Sequence, residues 1–428
     1  MISDVRDVFL PPSFFSKNRE KLILRLPPSF LAVVFAGHAV IMSEDSEYRF
    51  FANRNFYYLT GIEQESSVLV ISRKNDVLRT ALFIEAADEL KERWTGQRIR
   101  METAKERSGL QDVFYLPTLD DYLDEYLKDD LLPIALEQKV KHGPGKSFEK
   151  SIRSQYNERE IVLLGPILAE LRMIKEDCEL DMIRKAIALT EEAIREMAPH
   201  ICPGVTELEL FTSFEYALAR RGCLVPAFPS IFAAGKNSLF LHHMNPTGRA
   251  KQGDLIQMDV GGRVAGLCAD ISRVFPADGI FSKRQLSVYS VVRACQKTAF
   301  SKIRPGCQIS DINDMVKETA RQELIALGVL AEAAPATEDV SSYYWHNVSH
   351  HVGHDVHDLC IRETKLAAGM VLTVEPGIYI PEWETGFRIE DMVLVTDQGC
   401  EVLTSSVPRE WDEICTLTGS KGDVSLVE

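Results

Sequence analysis

MDVGGRVAGLCADISR, residues 258–273, sets two aspartates, Asp259 and Asp270, eleven positions apart across a glycine-rich turn. LIQMDVGG alternates as a strand does, GRVAG supplies a turn with Gly262 and Gly266 at its ends, and LCADISRVF returns as a second strand. With the turn centred between Val264 and Ala265, Asp259 and Asp270 face one another directly. Opposed side chains of an antiparallel pair lie roughly 4.5–5.5 Å apart, where like charges are destabilising. Two carboxylates aimed at each other from rigid strands need a proton or a cation between them. A lone pair of this kind on an exposed hairpin would simply be solvated, so the rest of the chain must decide.

The 428 residues exceed one ordinary core and suggest two or three domains at roughly 150 residues each. A hydrophobic share of 45% with 26% charged residues is that of a soluble globular protein. The net charge of -15, from 63 acidic and 48 basic residues, argues against a nucleic-acid or anionic-membrane partner. Nine scattered cysteines without metal-type spacing favour unpaired thiols in a reducing compartment, and the cytoplasm is the simplest placement. The longest apolar run, LAVVFAGHAVIM at 31–42, is too short to span a bilayer and reads as a buried strand. The opening MISDVRDVF carries acidic residues where a secretory signal would be positive.

Residues 1–168 alternate β-rich runs (FLAVVFAGHAVIM, SSVLVISRK, RTALFIEA, VFYLP, LLPIALEQ) with helical patches near 87–93 and 118–128. That alternation predicts an α/β layer domain with a mixed sheet. The charged stretch KSFEKSIRSQYNERE, 146–160, precedes a change of texture, and residues 169–428 form a second unit. There, Leu180, Ile183, Ile187, Ile194 and Met197 share one helix face that ends before Pro199 and Pro203. Thr206 with Glu209 predicts a capping box on a second helix, Ser282 with Gln285 on a third, and a fourth runs from about Ser310 to Gly328. Interleaved with the hairpin, GMVLTVEPGIYI and GFRIEDMVLVT, these helices predict an α+β catalytic domain.

Five of the ten histidines crowd into HNVSHHVGHDVHD, 346–358. Glu375 sits in TVEPGIYI, and Glu390 in GFRIEDMVLV, where alternation puts Arg388 on its face. Asp259, Asp270, Glu375 and Glu390 are all acids inside apolar strands, a costly placement unless they are paired or metal-bound. Four carboxylates and one neutral imidazole nearly balance two divalent cations, and such an oxygen-rich set suits Mn, Mg or Fe better than a structural zinc. Two such metals roughly 3.5–4 Å apart can share a bridging water, lower its pKa and clamp a tetrahedral oxyanion. Hydrolysis of an acyl bond and of a phosphoester both fit.

The run LHHMNPTGRAKQGDLIQMDVGGRVAGLCADISRVFP, the histidine block, TVEPGIYI and FRIEDMVLVT together resemble the pita-bread metallopeptidases, in their Xaa-Pro aminopeptidase (aminopeptidase P) and prolidase branch. NFYYLTGIE at 55–63 and ERWTGQR at 92–98 look like the creatinase-type N-terminal domain of that branch. The resemblance implies a pita-bread domain over 169–428, preceded by a smaller creatinase-like domain over 1–168. It implies two divalent ions, Mn2+ first and Co2+, Zn2+ or Fe2+ as substitutes. Asp259 and Asp270 would bind one, and Asp270 and Glu390 would bridge to the second, which His350 and Glu375 complete. It implies that His357 contacts the substrate carbonyl, that His346 and His242 line the proline-side pocket, and that Arg388 orients the substrate. Glu375 would also shuttle a proton, and Trp94 would wall the active site across a subunit boundary.

The family's histidine block usually has glycine and an aliphatic residue where this chain has Asn347 and His354, which bears on pocket shape and polarity. His243, His351 and His354 match no ligand position and read as structural or solvent-facing. The implied activity is removal of an N-terminal residue before proline, from peptides with proline second, by a homodimer or homotetramer. A prolidase confined to Xaa-Pro dipeptides is the nearest rival. A non-catalytic peptide-binding member and a metal-free creatinase-like hydrolase are both disfavoured by the five complete ligand positions.

Overall fold

A computed structural model describes residues 4–128, 131–137, 144–155, 159–331 and 340–418. The chain divides into two compact units, Leu10–Leu171 and a second comprising Met1–Phe9 with Arg172–Glu428.

The first unit is built on a six-stranded mixed sheet in the order 113–115, 77–84, 68–74, 30–35, 134–136, 161–163. Its three middle strands pair antiparallel and its outer ones parallel. Alternate residues on one face, among them Leu31, Val33, Val70, Phe83 and Ile134, pack into a core with Leu123 and Tyr126 of the helix Leu119–Leu127. The apolar run 31–42 does not form one strand. It leaves the sheet at Phe35, turns at Gly37 with φ 93°, and exposes Val40, Ile41 and Met42 on a short hairpin. Gly37 supplies a left-handed conformation that hydropathy does not register. Gln138 of LLPIALEQ and residues 156–158 of the charged stretch lie outside the described residues, while Pro144–Gln155 is helical.

In the second unit, the helix Asp177–Met197 buries Leu180, Ile183, Ile187, Ile194 and Met197, the face the apolar spacing predicts. Reciprocal capping boxes open Glu207–Ala219 at Thr206/Glu209 and Lys283–Lys302 at Ser282/Gln285, each satisfying amides that a helix start leaves open. A fourth helix covers Ile309–Ala326. Against these helices lie two three-stranded antiparallel sheets, ordered 271–276, 255–260, 231–234 and 371–374, 391–395, 400–402. A further hairpin pairs Gly377–Ile380 with Thr385–Arg388. Buried Arg273 ties the sheets together, donating to Asp391 Oδ1 (2.8 Å) and to the Pro408 and Val407 carbonyls.

The aspartate hairpin has a different register from the direct opposition expected. Its turn is centred between Ala265 (φ 47°) and Gly266 (φ 86°), with Val264 facing Leu267 and Arg263 facing Cys268. A two-residue hairpin turn needs two left-handed residues, and a glycine at its second position meets half of that demand. The one-residue shift pairs Asp259 with Ser272. Asp259 and Asp270 therefore share a face as diagonal neighbours, a spacing of roughly 7–8 Å between backbones that leaves room for an ion.

Candidate metal centre and substrate cavity

Asp259, Asp270, His350, Glu375 and Glu390 line one cavity of about 570 Å³, together with His242, His346, His357 and Arg388. The hairpin delivers the aspartates. The stretch 346–357, ahead of the strand Val371–Val374, delivers His346, His350 and His357, and His242 comes from the segment that follows the short turn Gly235–Leu239. Glu375 leaves the end of that strand just before Pro376, and Glu390 sits between Thr385–Arg388 and Asp391–Val395.

The electrostatics of this cluster call for cations. Ligating atoms of Asp270, His350 and Glu390 all lie within 4.8 Å of one another. Burial, then the charges of Asp259 and Glu375, push the Asp270 carboxyl well above its ordinary range. Burial, then Asp270, Glu375 and Asp259, do the same to Glu390. Asp259 Oδ2 accepts from Arg388 Nη2 at 2.7 Å, yet its Oδ1 is buried with no hydrogen-bond partner. His350 Nδ1 faces the His351 carbonyl at 3.1 Å, and a carbonyl only accepts, so that nitrogen carries the proton. In the neutral ring the Nε2 lone pair then points at Asp270 Oδ2 (3.5 Å) and Glu375 Oε1 (3.4 Å). A lone pair and carboxylates converging on one space are what a divalent cation satisfies, and the donor set fits such ions.

A hydrogen-bonded chain backs the acids. Arg388, buried, donates Nε to Ser272 Oγ (3.0 Å) and Nη1 to Tyr379 Oη (3.0 Å). Ser272 in turn donates to Glu390 Oε2 at 3.0 Å. Burial opposes the Arg388 charge, but Tyr379, Asp259, Glu390 and Glu375 around it hold its pKa well above the arginine norm. His346 Nδ1 lies 2.9 Å from the Asn347 carbonyl, so its Nε2 accepts from Tyr379 Oη at 2.8 Å. Burial keeps His346 below the ordinary histidine pKa, and burial with the neighbouring His350 does so for His357. The His357 ring stacks on His350, with centroids 4.1 Å apart at 15°.

Tyr379 and Ser272 are functional neighbours that the sequence reading missed. Each had a faint signal: Tyr379 keeps the strand parity of Glu375, and Ser272 is a polar residue in an apolar strand. His243, His351 and His354 stand outside the cavity lining. His243 Nε2 is 2.9 Å from Glu207 Oε2, and His354 Nε2 is 3.3 Å from Glu179 Oε1 in the core. Of the two departures from the family pattern, Asn347 lines the cavity and His354 does not. Trp94 belongs to the other unit, on the helix Glu89–Thr95, and is 90% exposed.

Comparison with known proteins identifies the family. The model of metallopeptidase family M24 matches residues 181–397, and that of the aminopeptidase P N-terminal domain matches 15–132. The chain is 29% identical to the Xaa-Pro aminopeptidase of Escherichia coli K12, over 94% of this chain and 97% of that protein. Among solved structures, a Bacillus anthracis chain assigned as aminopeptidase P superposes with a TM-score of 0.91 at 35% identity, covering 96% of this chain and 98% of its own. Zinc-substituted E. coli aminopeptidase P in complex with product superposes at 0.87 with 28% identity, covering 96% and 99%. The chain therefore belongs to metallopeptidase family M24, with the pita-bread catalytic fold behind a smaller α/β N-terminal domain. Within that family it falls in the aminopeptidase P branch. Among the described residues, no helix is long and apolar enough to cross a membrane.

Proposed function

We propose that this chain is a dinuclear metallo-aminopeptidase that hydrolyses the bond between an N-terminal residue and a following proline. One observation carries the reading. Four carboxylates and the His350 imidazole converge inside one cavity with Asp259 Oδ1 left without a partner, in a chain whose relatives are Xaa-Pro aminopeptidases.

Asp259 and Asp270 would hold one ion, Asp270 and Glu390 would bridge, and His350 and Glu375 would complete the second. When bound, two such ions supply a water acidified towards neutrality and positive charge for a developing oxyanion. Glu375, which accepts from Thr373 Oγ1 at 3.3 Å and has its other oxygen 3.7 Å from His346 Nδ1, would take a proton from water and return it to the proline nitrogen. His357, stacked on His350 in the cavity lining, would offer an N–H to the substrate carbonyl oxygen. His346 and His242, both in the cavity lining, would receive the proline ring. Arg388 fixes Asp259 and, through Tyr379, His346, so its first duty is to hold the acids and histidine in register. Trp94 would close the site from a second subunit of a homodimer or homotetramer, and its exposed indole is what such a role requires.

Manganese is the proposed ion, because an oxygen-rich set with one imidazole suits it. Cytoplasmic placement is supported by nine free cysteines. The 1–168 and 169–428 division is proposed as one of labour, with catalysis in the second part. The test is a panel of Xaa-Pro and Xaa-Pro-Xaa substrates given to chelator-stripped protein with and without Mn2+. Metal-dependent cleavage of the longer peptides is expected; cleavage of dipeptides alone would make the chain a prolidase, and full activity without metal would refute the reading.

A further inference from the structure

The second unit holds another buried charged cluster, outside the cavity lining. Arg172 Nη2 donates to Asp358 Oδ1 and, at 2.7 Å, to Asp355 Oδ2, while Lys175 Nζ donates to Asp358 Oδ2 at 3.2 Å. The side chains of Arg172, Lys175 and Asp358 are each 1% exposed. Burial alone would raise the Asp358 pKa, but Arg172 and Lys175 hold it far below the carboxylate range. Replacing such a charge leaves the opposite charges buried and uncompensated.

The cluster connects to the candidate metal centre through one carbonyl. The Asp358 N–H donates to the His351 carbonyl at 2.8 Å, and that same oxygen faces His350 Nδ1 at 3.1 Å. The segment between folds tightly over the carboxylate: a Cβ on Gly353 would come within 2.1 Å of Asp358 Oδ2. Gly353 is also tied to the aspartate hairpin, accepting from the Cys268 amide at 2.9 Å. The backbone of His350 has its own anchors, its amide donating to Thr373 Oγ1 at 3.0 Å and its carbonyl accepting from the Thr373 amide at 2.9 Å. The Thr373 bonds fix where the residue sits; the His351 carbonyl fixes how the ring is turned and which nitrogen is free.

We infer that Asp358, clamped by Arg172 and Lys175, is a positioning residue that turns His350 Nε2 towards the metal through the His351 carbonyl. The inference rests on the proposed role of His350 as a ligand. Partners that orient a metal-bound imidazole are worth roughly 10- to 100-fold in metal affinity.

The test is Zn2+ affinity of the full chain, stripped by chelation and titrated against a competing chromophoric chelator. Asp358→Asn keeps the size and the backbone N–H of the residue but removes the charge that Arg172 and Lys175 grip. It is expected to bind Zn2+ about 10- to 100-fold more weakly while remaining folded. Leu324→Ala, a core truncation on the helix Ile309–Ala326, should lower stability and leave Zn2+ affinity unchanged. Should Asp358→Asn fail to fold, Lys175→Met, which leaves the Arg172–Asp358 pair neutral, is expected to fold and lose affinity several-fold. Parental affinity in the folded variant, or an equal loss in Leu324→Ala, overturns the positioning role. A parent chain that binds no Zn2+ overturns the metal-centre reading itself.

Discussion

Tyr379→Phe isolates the relay behind the acids, because it removes one hydroxyl and keeps the buried ring. That ring is fully buried and stacks on Trp345 with centroids 4.7 Å apart at 12°, so the replacement leaves the aromatic packing in place. Two hydrogen bonds disappear, the donation from Arg388 Nη1 at 3.0 Å and the one to His346 Nε2 at 2.8 Å. A bond to a charged group contributes about 1.5–3 kcal/mol. Arg388 keeps Asp259 and Ser272, so folding stability should fall by only about 2 kcal/mol. If His346 and Arg388 must be held for turnover, the same loss appears in the transition state, and kcat/KM falls by about 10- to 100-fold. Burial raises the Tyr379 pKa to about 12, so the hydroxyl is a donor throughout any ordinary assay and the pH profile should keep its shape. Steady-state kinetics on an Xaa-Pro-Xaa peptide, with chemical denaturation alongside, reads both effects. A folded variant with kcat/KM within about twofold of the parent would refute the relay, since that is under 0.5 kcal/mol.

Asp270→Asn should fold and lose about 10³-fold in activity, near 4 kcal/mol of transition-state stabilisation, while the metal-free variant is at least as stable as its parent at pH 7. That second half follows because burial and its acidic neighbours make the Asp270 charge costly without a cation, and differential scanning calorimetry after chelation checks it. Gly261→Ala would set a Cβ 1.9 Å from the Ala269 carbonyl oxygen, so the hairpin must open between the two aspartates. A stability loss of about 1–3 kcal/mol with weakened metal binding is expected, and unchanged denaturation and metal titrations would contradict it. His354 is a base whose folded pKa burial holds below the ordinary 6.5. As pH falls below about 6.5 the unfolded chain takes up a proton that the folded chain refuses, so stability declines by up to about 1.4 kcal/mol per unit. Urea denaturation of His354→Leu between pH 6.5 and 5 should show a flatter decline; an unchanged slope would show that His354 does not titrate this way.

The elements with strong periodic or capping signals were legible in the sequence: the face of Asp177–Met197, both capping boxes, and Asp259 inside an apolar strand, whereas Asp270, Glu375 and Glu390 stand at the ends of strands instead of within them. The hairpin register was not. It depended on whether Ala265 or Val264 took the first left-handed position, and Ala265 carries no mark of that conformation. The run 31–42 misled for a similar reason, since hydropathy continues through Gly37 while the backbone turns there. The relay through Tyr379 and the mount built from Arg172, Lys175 and Asp358 join residues far apart in the chain, and no local spacing links Arg172 to a carboxylate 186 positions on. His354 shows the reverse case. In the sequence it belonged to a dense histidine cluster, and the fold turned it into the core against Glu179.

The central claim is that the four carboxylates and His350 form a cage for two divalent ions that catalyse cleavage before proline. Titrating chelator-stripped protein with Mn2+ while following hydrolysis of an Xaa-Pro-Xaa peptide tests it most directly. Activity absent at the start and complete at two equivalents per chain is the predicted result. Undiminished activity in the stripped protein, or a fully active enzyme carrying no metal by elemental analysis, would contradict it.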